Sequence, residues 1–100
     1  MTPDEFRASL AAPAPPSGIS SALVALWYDG RGDWSEAHRV AQDVHDERGA
    51  HVHAYLHRKE GDDSNAHYWY RRAGAPPFVG SLDDEWKHIV RLLLERVSDV

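Results

Sequence analysis

From Ile19 onward the apolar positions Ile19, Ala22, Leu23, Leu26 and Trp27 follow the i, i+3, i+4, i+7, i+8 spacing of one helical face. Gly30 to Gly32 ends this stripe, and Asp33, with Glu36 three residues on, marks a second helix through an Asp version of the capping box. Its inner face is Ala37, Val40, Ala41 and Val44, and Arg48-Gly49 closes it. A third stripe starts near Ala50, carries Val52, Tyr55 and Leu56, and ends at Gly61. Asp62 or Asp63 caps a fourth, with Ala66, Trp69, Tyr70 and Ala73 inward, which stops at Gly74 with Pro76-Pro77 beyond. Ser81 opens a last helix whose first turn holds Asp83, Asp84 and Glu85; its stripe of Leu82, Trp86, Ile89, Val90, Leu93 and Val97 is the strongest periodic signal in the chain. Ahead of these, Thr2-Pro3-Asp4-Glu5 has the form of a short helix start, and the Pro-rich stretch from Ala11 to Gly18 reads as a linker or surface strap.

The middle four stripes match in pairs. Displacing the chain by 29 residues lays Ala25 on Ala54, Gly32 on Gly61, Asp33 on Asp62, Ser35 on Ser64, Ala37 on Ala66 and His38 on His67. Small Ala at matched sites lets two helices approach closely, and Gly-Asp supplies a C-cap and the next N-cap in two residues. The predicted fold is therefore all-α: two helix-turn-helix hairpins, at about 19–48 and 50–74, with a capping helix at about 81–98 and a short N-terminal helix. Residues 1–18 are expected to form the short helix and linker, and 19–100 a single helical-repeat domain whose first hairpin helix, left uncovered, invites dimerisation.

Composition narrows the possible roles. The chain has no Cys, which removes disulfides, thiolate zinc sites and a Cys nucleophile. No stretch reaches the length of a membrane span and the N-terminus lacks a basic-then-apolar leader, so the expectation is a cytoplasmic protein with no membrane partner. A net charge of −5 without a basic tract argues against nucleic acid. Seven His residues make the surface potential pH-dependent, since full protonation would take the net charge from −5 to +2.

The run Ala66-His67-Tyr68-Trp69-Tyr70-Arg71-Arg72-Ala73-Gly74 resembles the second helix of Sel1-like repeats, relatives of tetratricopeptide repeats, in which Ala-x-x-Trp-Tyr-x-x-Ala recurs. Ala54-Tyr55-Leu56 through Gly61-Asp62 resembles the preceding helix and turn, so the likeness covers about residues 20–74 and is fuller in the second copy, Val40-Ala41 standing for Trp-Tyr in the first. His53 to Arg58 with Tyr68 to Arg72 is also similar to small uncharacterised bacterial proteins, which implies no activity. The Sel1-like resemblance implies a scaffold that binds another protein or itself.

Candidate chemistry concentrates on the second hairpin. His53 and His57 are four apart on one helix, the spacing by which a helix chelates zinc, nickel or copper, and His67 lies about as far beyond the Gly61-Asp62 turn as His57 lies before it. A divalent transition metal on His53, His57 and His67 is one expectation; Val24 and Tyr28 stand at the corresponding first-copy positions, so the fold itself does not require these His residues. His38 and His67, at matched sites, read either as a bonded pair or as boundary residues with one wet face. Tyr68, Trp69 and Tyr70 lie about 100° apart around a helix, so they do not all enter one core stripe. Tyr68 is left at an edge, where with Tyr28 and Arg71 or Arg72 it makes a candidate protein-binding patch. No nucleophile-base motif, His-Glu-x-x-His helix or phosphate loop occurs, which leaves acid-base chemistry by His53, His57 or His67 with Glu60 as the enzymatic alternative to a non-enzymatic interaction module.

Overall fold

The computed structural model describes residues 1–97, and among these every regular element is helical. In order they are α1 (Pro3–Ala8) with a 3₁₀ turn at Ser9–Ala11, α2 (Ser21–Gly30), α3 (Trp34–Gln42), α4 (Glu47–Glu60), α5 (Asp63–Ala73) and α6 (Leu82–Val97). Ser98, at the expected end of the capping helix, and the side chain of Val97 lie outside the described residues. No described helix is long and apolar enough to cross a membrane.

The two hairpin turns close in the same way. Gly32 and Gly61 take φ of 83° and 88°, a left-handed geometry that disfavours a Cβ. One residue on, the Asp33 N–H donates to the Tyr28 carbonyl and the Asp62 N–H to the His57 carbonyl, both at 2.9 Å, which satisfies an orphan carbonyl of the helix just ended. The Asp33 and Asp62 side chains then accept from Glu36 N and Asn65 N and start α3 and α5. Glu36 does not complete the reciprocal half of a capping box, because its carboxylate is paired with Arg39. The full box occurs at Thr2 and Glu5 instead.

Across these turns α2 packs on α3 and α4 on α5, while α4 also touches α2, α3 and α6. This central position buries every residue of α4 from Val52 to His57, on all sides of the helix. The boundary before α4 differs from the expected one. α3 stops at Gln42, and α4 begins at Glu47 because the Asp46 carboxylate accepts from both Arg48 N and Gly49 N. Gly49 thus lies inside a helix and ends none.

The N-terminal segment is part of the core. Phe6 is fully buried with its ring 5.7 Å from that of Trp86. The Trp27 indole donates to the Ser9 carbonyl, Arg31 donates to the carbonyls of Leu10 and Ala12, and Arg7 pairs with Asp83 at 2.6 Å. α1 packs on α6 and α6 on α2, so α2 is not the uncovered helix expected above. Trp86, Ile89, Val90 and Leu93 seal this side, each contributing about 1.5–3 kcal/mol by burial.

Candidate metal centre

α4 presents His53 and His57 one turn apart, and α3 brings His38 against both. One imidazole nitrogen from each of the three lies within 4.8 Å of the others. The ring of His38 stands edge-on to His53 at 5.0 Å and to His57 at 5.2 Å, and His53 and His57 lie nearly parallel at 5.9 Å. A tetrahedral ion bonded at about 2.0–2.1 Å to three imidazoles holds their nitrogens about 3.4 Å and their ring centres about 5 Å apart.

Two tryptophans fix the outer faces. Trp34, one turn before His38, stacks on it at 5.0 Å and 10° and donates to the Leu56 carbonyl at 2.9 Å. Trp69 of α5 stacks on His53 at 4.2 Å and 13°.

The protonation of the cluster suits a cation. His53 is 5% exposed, and its Nδ1 is buried without a hydrogen-bond partner. An unpaired buried nitrogen normally costs its full desolvation penalty, about 1–3 kcal/mol, and a coordinated cation removes that penalty. Burial first, then the neighbouring His38 and His57, push the His53 pKa down to about 4, against the opposing pull of the Ala41 carbonyl. Burial and His57 also lower His38, with Glu60 opposing. Both rings are thereby neutral at pH 7 and free to coordinate without losing a proton. His57 Nδ1 faces a Glu60 carboxylate oxygen at 3.3 Å, the carboxylate-histidine pairing common behind metal ligands. His57, Glu60 and the exposed Asp62 form a second, more open group of donors.

His53 also lines a cleft of about 500 Å3 together with Gln42, Val44, Arg48, Trp69 and Arg72. The Arg72 guanidinium stands 5.5 Å over the Trp69 ring, so Trp69 is covered by His53 and by Arg72.

The third histidine is not the one expected. His67 is exposed and outside the cluster, because Ala66 and Tyr70 are the inward positions of α5 and His67 is turned about 100° from Ala66. Its matched residue His38 takes that place, since α3 lies against α4 on the side of His53 and His57. Tyr68 does sit at an edge, 43% exposed, where it meets the Trp69 ring edge-on at 5.3 Å and accepts from Arg72 at its hydroxyl at 3.0 Å. Tyr28 is half-buried against Trp27 at the core boundary, and Arg71 is exposed.

Two buried carboxylates escaped the sequence reading. Asp29 accepts from the Tyr55 hydroxyl at 2.7 Å and from Lys59 at 2.9 Å, tying α2 to α4. Glu85, read as part of a helix start, is fully buried and accepts from Arg58 at 2.9 Å and from the Tyr70 hydroxyl, tying α6 to α4 and α5. Burial, with the adjacent carboxylate, raises the pKa of both phenols above the ordinary tyrosine value. The sequence signal for these ties is weak: Tyr55 and Lys59 lie one turn apart on α4, whereas Arg58 and Tyr70 lie on different helices. No protein-family model, curated protein or solved structure matches the chain.

Proposed function

We propose that this protein is a helical domain that binds one divalent transition metal ion, zinc first, through His38, His53 and His57. The observation that carries this reading is the convergence of one imidazole nitrogen from each of three histidines on two helices, of which His53 also has a buried nitrogen, Nδ1, without a hydrogen-bond partner. The donor set selects the ion. Imidazoles without thiolates or further carboxylates suit zinc, cobalt, nickel and copper over magnesium and calcium, which take oxygen. A bound ion would pin α3 to α4 and stabilise the native state by mass action.

Titration of chelator-treated protein with zinc, in competition with a chromophoric chelator, is expected to give one site, with a thermal melt that rises on saturation. His53→Ala and His38→Ala should abolish the site and His67→Ala should retain it. Equal zinc uptake by the wild type and His53→Ala would refute the reading, since adventitious binding by exposed histidines behaves in that way.

A second reading, a surface for a protein partner or a second copy of the chain, is favoured by Tyr68, whose exposed ring is held by Arg72 through both a hydrogen bond and a cation-π contact. It requires concentration-dependent sedimentation that Tyr68→Ala removes, or a partner lost with the same substitution.

A further inference from the structure

α4 carries another donor on the face that bears His53 and His57. Glu60 is three residues beyond His57 and seven beyond His53, and at about 100° per residue the three lie within an arc of about 60°. α3 brings His38 against the same two histidines. A Glu60 carboxylate oxygen stands 3.3 Å from His57 Nδ1, a distance that serves either a hydrogen bond or shared coordination, since two donors on one tetrahedral zinc ion are about 3.4 Å apart. Glu60 and Asp62 form a donor group with His57, and His57 links that group to the buried one. The Glu60 charge also acts on His38.

Local structure gives no other reason for an acid at this position. Glu60 is the last residue of α4, where a negative charge opposes the helix dipole. Its neighbours Arg58 and Lys59 pair with Glu85 and Asp29, and among the described residues Glu60 pairs with His57. The cluster has the complementary need. Imidazoles coordinate as neutral groups, and a doubly charged ion placed beside buried neutral donors is costly unless an anion accompanies it.

We propose that Glu60 is the fourth protein donor to the ion held by His38, His53 and His57, so that the coordination shell is closed to water and the ion is a structural clamp between α3 and the C-terminal end of α4. The proposal rests on the metal reading above. Three nitrogens and one carboxylate remain a zinc set, and four protein donors are the arrangement of structural zinc sites.

The test uses cobalt(II), which absorbs in the visible, on the full chain after chelator treatment, with zinc affinity measured separately by chelator competition. A closed shell holds no water to ionise, so the wild-type cobalt spectrum is expected to stay constant between about pH 6.5 and 9.5, the range in which metal-bound water loses its proton. In Glu60→Gln, checked for helical content, water takes the vacated position, zinc affinity falls about tenfold or more, and the spectrum at saturating cobalt gains a single ionisation. Gln still accepts a hydrogen bond from His57, so a residue that only oriented that ring would be replaced with little loss. Asp62→Asn, which keeps the cap of α5, should match the wild type. A wild-type cobalt spectrum that itself titrates, or zinc affinity in Glu60→Gln within about tenfold of wild type, overturns the proposal and leaves the metal reading standing. The wild-type measurement decides even where the variant fails to fold. Failure of the wild type to bind zinc and cobalt overturns the metal reading, and this proposal with it.

Discussion

Trp69 lies flat on His53, their ring centres 4.2 Å apart and their planes 13° from parallel. This contact ties α5 to the one cluster residue whose buried nitrogen is unpaired, and it holds the plane of the ring that the proposed ion would meet. Groups that orient ligands in this way typically affect metal affinity by about 10–100-fold. Trp69→Ala is expected to weaken zinc binding by about tenfold or more and to cost about 1–2 kcal/mol of stability in chelator-treated protein. Trp69→Phe should recover most of both. Chelator competition and urea denaturation measure the two effects, and unchanged zinc affinity in Trp69→Ala would show that the stack has no orienting role.

Among the described residues Glu85 is the carboxylate that pairs with Arg58, and it also accepts from the Tyr70 hydroxyl. Replacing it with Gln keeps the shape but leaves a partly buried guanidinium without its counter-charge, the costly way to break such a pair. Glu85→Gln should destabilise the protein by about 3 kcal/mol, and Tyr70→Phe by about 1 kcal/mol. Because both act on one network, the double variant should lose less than the two single losses together. Strict additivity in denaturant midpoints would show that the hydroxyl and the ion pair act independently.

Acid is expected to destabilise the metal-free protein through His53, whose pKa is pushed down to about 4. In the unfolded chain the same imidazole titrates near 6.5, so between about pH 6.5 and 4 the unfolded state binds a proton that the folded state refuses. The stability due to this group is complete above about pH 6.5 and lost as the pH falls toward 4, a change on the order of 2–3 kcal/mol. His38 acts in the same direction. Urea denaturation in chelator at pH 7, 5.5 and 4.5 should show the loss, and His53→Gln should flatten that part of the curve. A variant with the wild-type slope would assign acid sensitivity to the carboxylates.

The helices were legible because their signals are local. The Gly-Asp turns at Gly32-Asp33 and Gly61-Asp62, the Ala at matched sites and the stripe of α6 each act within a few residues. The histidine cluster was half legible. The spacing of His53 and His57 is a property of one helix, but choosing His38 over His67 depends on which neighbour packs against that side of α4, and both flank it in the chain. The 29-residue match obscured the answer, since it made His38 and His67 equivalent when their surroundings are not. Glu85 was hidden by its position. An acid in the first turn of a helix has a sufficient local explanation, and only the approach of Arg58 and Tyr70 reveals another role. Phe6 was missed for a related reason, as the Pro-rich stretch after it reads as a linker when viewed without the surface it crosses.

Gly49 is where local reading and packing disagree most sharply, and the disagreement gives a test of sign. Followed only along the chain, Arg48-Gly49 is a helix end, where Gly→Ala is unfavourable for lack of left-handed φ. Within a helix, as found here, the same change ordinarily stabilises by about 0.5–1 kcal/mol. Neither applies at this site. A Cβ on Gly49 would meet the Val44 carbonyl oxygen at 2.0 Å, and that oxygen belongs to the backbone of the short link from α3 to α4. Relief requires moving the link, which borders the cleft at Val44, His45 and Asp46 and joins the helix of His38 to that of His53. Gly49→Ala is therefore expected to destabilise by about 2 kcal/mol or more and to weaken zinc binding, although no ligand is changed. Gly30→Ala is the control, because its nearest obstacle is the flexible end of Leu10 at 2.8 Å and α2 carries no ligand. Its loss should be smaller and its zinc affinity unchanged, and equal effects of the two substitutions would remove the special role assigned to the α3–α4 approach.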